Sequence, residues 1–407
     1  MRKLILPNLF KPLAVASVLG VLIFSCQTSN ENLPFDALSE LAVVKFANGD
    51  IIPGKFIVVL KPSGLALRKS MGYEEVQSSM RKTTVSLLAK YRIAESTLDQ
   101  VYGNTIEGFS IALTEEQAEA LANDPAVSYI EPDRIMGIAQ KGRPGGGGGS
   151  TGQTTPWGIT RIGGAVNYTG SNKAYILDSG IDLDHPDLNV NANAGFNAFT
   201  SGKDSRSLDD GNGHGTHVAG TIAAINNSIG VVGVAAGAQV VPIKVLGATG
   251  SGSYSGVIAG INYVGATGNS GDVANMSLGG PFSQAVNDAV VAAASNGIKF
   301  ALAAGNESQN TNNVSPGSAN GTHVYTVSAM NSSDSWASFS NFGNPPVDYC
   351  APGVSIQSTW KSGGYNTISG TSMATPHVAG ILLLGNINTD GTVKNDPDGT
   401  PDPIAVR

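Results

Sequence analysis

The sequence predicts an α/β domain, a parallel sheet with helices on both faces, preceded by a small α+β domain of ferredoxin-like order. Three observations carry this. From Lys173 onward short apolar strands alternate with helical patterns, which argues a parallel sheet. Runs such as Val240-Val241-Pro242-Ile243-Lys244-Val245-Leu246 are almost continuously apolar, as strands covered on both faces must be. Between Ile51 and Tyr129 the order instead reads β-α-β-β-α-β.

Taken in order, residues 1–25 read as a secretory signal. Arg2, Lys3 and Lys11 precede an apolar run, Leu13 to Phe24, that is too short to span a membrane. Residues 26–50 are a polar tether without periodicity. Residues 51–136 form the small domain. Lys55 to Leu60 is a strand, and Val76, Met80, Val85, Leu88 and Tyr91 mark a helix. Leu98 to Gly103 and Phe109 to Leu113 pair as a hairpin. Thr114-Glu115-Glu116-Gln117 opens a second helix as a capping box, and Val127 to Ile130 is the last strand. Residues 137–155 hold Pro144 and five consecutive glycines and read as a flexible linker.

Residues 156–384 make the large domain. Its strands are expected at Ala174 to Leu177, Gln239 to Val245, Val273 to Met276, Lys299 to Ala303 and Tyr325 to Ala329. Its helices are expected at His214 to Ala224, Tyr254 to Val264, Phe282 to Ser295 and Ser372 to Leu384. Pro376 is placed in the first turn of the last helix, where no amide donor is needed. Residues 385–407 are a short polar tail rich in Asp, Gly and Pro, expected to pack irregularly or to leave one face incomplete.

At 407 residues, 41% hydrophobic and 14% charged with 52 glycines, the chain suits a compact, turn-rich protein of extracellular type. Its net charge of −7 and lack of long basic runs argue against nucleic-acid binding. Two cysteines, Cys26 and Cys350, give no disulfide framework, and Cys350 reads as a buried strand thiol.

Three stretches carry chemistry. Gly370-Thr371-Ser372-Met373-Ala374-Thr375-Pro376-His377 sets a serine at the start of a buried helix. Asn212-Gly213-His214-Gly215-Thr216-His217 sets a histidine in the same position. Ala174-Tyr175-Ile176-Leu177-Asp178-Ser179-Gly180 ends a strand in an acid. A serine nucleophile needs a base to take its proton and an acid to orient that base. The order acid, histidine, serine excludes an α/β-hydrolase, which needs acid and histidine after the serine; only His377 follows Ser372.

On these motifs the chain resembles the subtilisin-like serine peptidases (subtilases), in their proteinase K and aqualysin branch, over about Ile51 to Leu384. The resemblance implies a secreted, broad-specificity endopeptidase made as a self-processing precursor, acting on peptides as a monomer and needing no cofactor for its chemistry. It makes Asp178, His214 and Ser372 the catalytic triad and Asn306, in Ala303-Ala304-Gly305-Asn306-Glu307, the oxyanion donor. It makes the small domain an inhibitor-I9-type propeptide, an intramolecular inhibitor and chaperone whose last residues lie in the cleft as a strand. Processing is bracketed between Met136 and Gly152.

Leu246, Gly250 and Gly252 resemble one cleft wall, and Ser277, Leu278 and Gly279 the other; a peptide strand pairs between them by main chain. Ala303, Ala304 and Gly305 leave an open primary pocket, with Glu307 at its rim to admit basic side chains as well. Leu22-Ile23-Phe24-Ser25-Cys26 resembles a bacterial lipobox, which implies a lipid-anchored cell-envelope protein; cleavage by an ordinary signal peptidase is the alternative. Structural calcium is a family habit, with oxygen-rich loops around Pro316 and Asn331 to Asp334 as its expected place. His217, His377 and the Asp182-Asp184-His185 group read as local structure. The rival reading is an inactive surface-binding protein on the same scaffold.

Overall fold

The computed structural model describes residues 47–63, 71–138, 141–145 and 152–407. The expected signal segment, Cys26 and most of the tether lie outside them.

The small domain has the expected order: β1 (Ile51–Leu60), α1 (Tyr73–Lys90), β2 (Leu98–Tyr102), β3 (Gly108–Ala112), α2 (Glu115–Ala122) and β4 (Val127–Ile138). Its sheet runs β4-β1-β3-β2, each pair antiparallel. Phe56, Val58, Met80, Leu88, Phe109, Ile111 and Leu121 form its core under the two helices. The capping box is present: Gln117 N donates to Thr114 Oγ1 at 3.3 Å, and Thr114 N donates to Gln117 Oε1 at 3.0 Å.

The large domain is built on parallel strands in the order Gln239–Lys244, Ala174–Asp178, Val273–Met276, Lys299–Ala303, Val324–Met330 and Val347–Pro352. Its helices are α3 (Trp157–Arg161), α4 (His214–Ala223), α5 (Tyr254–Thr267), α6 (Gln284–Ala294) and α7 (Thr371–Leu384). Strand alternation divides the core. Tyr175, Leu177, Val241 and Ile243 pack with Val257, Ile261, Val286 and Val290 of α5 and α6. Ala174, Ile176 and Val240 pack with Val218, Ile222, Val378 and Ile381 of α4 and α7.

Three expectations need correction. Residues 385–407 are no irregular tail: Asn388–Thr392 pairs antiparallel with Pro403–Val406, which joins the sheet beside Val347–Pro352 through Cys350 and Ile404. Val393 and Ile404 close a small core over Met330 and Cys350, which supplies the burial a purely polar tail would lack. Residues 137–155 are not linker throughout. Gly137 and Ile138 belong to β4, and Lys141–Gly145 pairs with the edge strand Gly364–Ser369 of a hairpin whose other strand is Ile356–Trp360.

Pro376 sits deeper in α7 than its first turn, where its missing amide leaves the Ser372 carbonyl without a helical donor. Ser277 Oγ donates to that carbonyl at 2.8 Å instead.

The small domain is bonded to α5 and α6. Asn262 Oδ1 accepts from the amides of Gly103, Asn104 and Thr105 at 3.1, 2.7 and 3.2 Å. Asp133 accepts from Ser255 N at 3.1 Å and Ser255 Oγ at 2.6 Å, and Glu131 accepts from Ser283 Oγ. Each carboxylate therefore meets the positive end of a large-domain helix.

Candidate active site

β4 enters the cleft between two short strands. Gly252 lies opposite Met136 on one side, and Leu278 and Gly279 lie opposite Ile138 and Gly137 on the other. Ile138 N donates to Gly250 O at 3.1 Å. A Cβ on Gly252 would lie 2.0 Å from Val245 O, so the wall can be made only of glycine there. Leu246 lies behind the wall, with its side chain fully buried in the core and its amide donating to Asp178 O at 3.0 Å.

The sheet presents Asp178 at the carboxyl end of its strand, the usual ligand side of a parallel sheet. α4 starts on His214 after Gly213, whose φ of +109° and close approach to the Trp360 ring exclude a side chain. His214 Nδ1 lies 2.9 Å from both Asp178 oxygens, and both residues are fully buried. Asp178 Oδ1 also accepts from Ser179 N at 2.7 Å.

Ser372 is the second residue of α7 and is buried. Its Oγ donates to Ser277 O at 2.9 Å. Asn275 pairs with Ile176, which sets Ser277 level with Asp178 on the adjacent strand. Serine and acid–histidine pair are thus brought to neighbouring strand ends, but no Ser372–His214 bond is formed. His214 Nε2 is buried and has no partner among the described residues. Ser277 therefore meets Ser372 directly as well as continuing into the wall.

Asn306 is positioned by the residue before the serine. Its Oδ1 accepts from Thr371 N at 2.9 Å and Thr371 Oγ1 at 3.1 Å. That turns Nδ2 the other way, where it is buried and unpartnered among the described residues. A buried amide donor left open in this manner is costly unless a ligand oxygen takes it up.

Gly279, Ala303, Gly305 and Glu307 line one small pocket together with Ile138 and Asn48. Ala304 lies behind it and accepts from Asn341 Nδ2 at 2.9 Å. Glu307 lines the pocket, yet its Oε2 also accepts from Asn306 N at 2.9 Å and Asn341 Nδ2 at 2.7 Å. It builds the loop as well as lining the pocket.

The other histidines are committed locally. His217 Nε2 donates to Ile356 O at 3.0 Å and His377 Nδ1 to Met373 O at 2.8 Å. Burial pushes His217 down to about 3 and His377 to about 4, so both stay neutral at neutral pH. Asp182 accepts from Gly363 N at 2.7 Å and His185 Nε2 donates to Gly364 O at 3.0 Å, which ties down the hairpin. Burial raises the Cys350 thiol far above its ordinary range, keeping it protonated.

Of the two places expected to hold calcium, the Asn331 to Asp334 loop has its side chains committed elsewhere. Asp334 is bidentate to Arg161 at 2.8 and 3.1 Å, and Asn331 Oδ1 accepts from Ser333 N at 2.9 Å. A different cradle does fit. Four oxygens surround the Gln153 amide nitrogen: Ile225 O at 2.7 Å, Asn227 Oδ1 at 3.3 Å, Ile229 O at 3.4 Å and Val231 O at 3.2 Å. One amide offers only two protons, so four acceptors exceed it. Turned over, the amide adds its own oxygen to the ring. Asp187, buried and without a salt bridge among the described residues, supports the loop through Asn227 Nδ2 at 2.8 Å and Val231 N at 3.1 Å. An oxygen-only ring backed by a carboxylate bonded to its loop suits Ca²⁺. Sequence reasoning missed it because three of its oxygens are backbone carbonyls.

Comparison with known proteins gives the family. The model of the subtilase family matches residues 174–386, and that of peptidase inhibitor I9 matches residues 55–139. Subtilisin-like serine protease AsES of Sarocladium strictum is 42% identical over 339 residues, 75% of this chain and 82% of that protein. Subtilisin E of Bacillus subtilis (strain 168) is 45% identical over 286 residues, covering 69% and 70%. A solved cold-adapted subtilisin-like serine proteinase superposes with TM-score 0.54 at 37% identity, covering 61% of this chain and 96% of that one. The chain belongs to the subtilase family: it is a serine endopeptidase that carries an inhibitor-I9 propeptide.

Proposed function

We propose that the chain is an exported endopeptidase of broad specificity that cuts itself free of its propeptide. The observation that supports this most is β4, held by main-chain pairing between the two glycine-rich walls as a peptide substrate would be. Pairing through the backbone is indifferent to most side chains, hence the breadth.

In this reading the Ser372 hydroxyl turns from Ser277 O to His214 Nε2, gives up its proton there and attacks the scissile carbonyl. Asp178 holds the Nδ1–H tautomer and stabilises the imidazolium that forms. Asn306 Nδ2 and the Ser372 amide donate to the oxyanion. His214 then protonates the leaving amine, and water, activated by the same imidazole, releases the acyl group.

The self-cut falls between Ile138 and Lys141, because strand pairing holds the chain on both sides of that interval. Any lipid on Cys26 then stays with the propeptide side, and the matured peptidase leaves the envelope surface. Gln153, Ile225, Asn227, Ile229 and Val231, backed by Asp187, would hold a structural Ca²⁺ that cross-links the mature N-terminal segment to the loop after α4 and takes no part in the chemistry.

The test is caseinolysis by the matured chain beside Ser372→Ala, which should be inert while keeping its fold; an active Ser372→Ala variant would sink the reading. The rim charge is read separately. Glu307→Gln should lower turnover of lysine-ended relative to phenylalanine-ended substrates about tenfold, the scale of one charge contact in a small pocket. An unchanged ratio would confine Glu307 to building the loop.

A further inference from the structure

We infer that Asp210 is a positioning residue: it locks the turn that carries Asp178 to the first turn of the helix that starts at His214, and so sets the geometry of the acid–imidazole pair. The inference rests on the catalytic reading of that pair.

Asp210 lies four residues before His214 and is only 3% exposed. Its Oδ1 accepts from Ser179 Oγ at 2.8 Å, Asn212 N at 2.9 Å and Gly213 N at 2.8 Å. Its Oδ2 accepts from Thr216 N at 2.9 Å and Thr216 Oγ1 at 2.7 Å. Only an ionised carboxylate is acceptor on both oxygens; an amide in its place would set its own N–H groups against donors.

The bonds continue outward on both sides. Ser179 Oγ, which donates to Asp210, accepts from Gly215 N at 3.1 Å. Thr216 Oγ1, the other bridging hydroxyl, accepts from Asp182 N at 2.9 Å. The segment from Ser179 to Asp182 is therefore tied at two points to the first turn of α4, and the hydroxyl at each point is held by the one carboxylate.

This junction has little else to fix it. Gly180 and Gly215 bring bare backbones together, and a Cβ on Gly215 would lie 2.1 Å from Gly180 O. With no side chains to interlock, hydrogen bonds set the spacing. Lys244, in register with Asp178 on the adjacent strand, closes the other side by donating to Ser179 O at 2.7 Å and Asp209 O at 2.8 Å. Its ammonium lies within electrostatic reach of the carboxylates of Asp210, Asp204, Asp209 and Asp178. Proton transfer to an imidazole tolerates misplacement of only a fraction of an ångström, so a slack junction slows chemistry before it weakens binding.

The experiment compares matured Asp210→Asn, Ser179→Ala and the double variant by steady-state kinetics on one peptide, and follows the His214 Nδ1–H resonance by proton NMR. Asp210→Asn should lower kcat about 10- to 100-fold with KM within about twofold, and broaden or shift the resonance. The double variant should be little worse than Asp210→Asn alone, since both substitutions cut the same tie. If Asp210→Asn fails to mature, Ser179→Ala, which removes only the hydroxyl bridge, carries the test with the same signs and a smaller loss. Unchanged kcat and resonance in a matured variant, or strictly additive losses, overturn the inference. Asp178→Asn in parallel separates the two readings: if it keeps full kcat, the catalytic assignment itself fails, whereas its loss beside an unaffected Asp210→Asn removes only the inference.

Discussion

Asn306→Ala is expected to lower kcat by about 10²- to 10³-fold and leave KM within about twofold, because the donor it removes is used only when charge develops on the carbonyl oxygen. Several features of the ground state support that division. Nδ2 is buried and unpartnered among the described residues, while the amide oxygen is pinned twice by Thr371. The donor is thus set in advance and costs no reorganisation during the reaction. The loop is held from the other side by Asn341, whose Oδ1 accepts from Glu307 N at 2.9 Å and Gln309 N at 3.1 Å, so truncating Asn306 should not collapse it. Steady-state kinetics of the matured variant decide: a rise in KM with unchanged kcat would mean that Asn306 binds the ground state instead.

Chelation should lower the melting temperature of the matured enzyme by about 10 °C. A ligand at a thousandfold excess over its Kd stabilises by about 4 kcal/mol, and a domain of this size shifts roughly 2–4 °C per kcal/mol. The cradle joins Gln153, just before the large domain, to the loop between Ile225 and Val231, so releasing an ion proposed there would unpin the chain's entry to that domain. Asp187→Asn should remove most of the response, and Asp334→Asn should leave it whole. Scanning calorimetry with and without chelator reads both. An Asp187→Asn variant that responds like the parent would place the ion elsewhere.

The sequence disclosed the parts whose chemistry restricts residue type. Asp178, His214 and Ser372 stand in short motifs in which small residues must surround the reactive group, and the structure places all three at adjacent strand and helix ends. The parallel sheet was legible from its doubly buried strands. What escaped depends on backbone groups or on distant partners. Pro403–Val406 is a strand because Asn388–Thr392 and Val347–Pro352 flank it, and its four residues carry no periodicity of their own. The hairpin Ile356–Trp360 and Gly364–Ser369 turns through Ser362 and Gly363 at φ of +60° and +66°, without the Asn-Gly or Asp-Gly pair that marks a tight turn. The cradle around Gln153 uses carbonyls, which any residue supplies. Asp210 reads as one more acid in a polar loop until its five donors are counted.

The central claim is that β4 lies in the cleft as the enzyme's own first substrate. N-terminal sequencing of the chain matured from purified precursor tests it most directly. The account predicts a single new terminus at Ala139, Gln140 or Lys141, and none from the Ser372→Ala precursor. A terminus within the glycine run or nearer Pro156, or the same cut in Ser372→Ala, would contradict it.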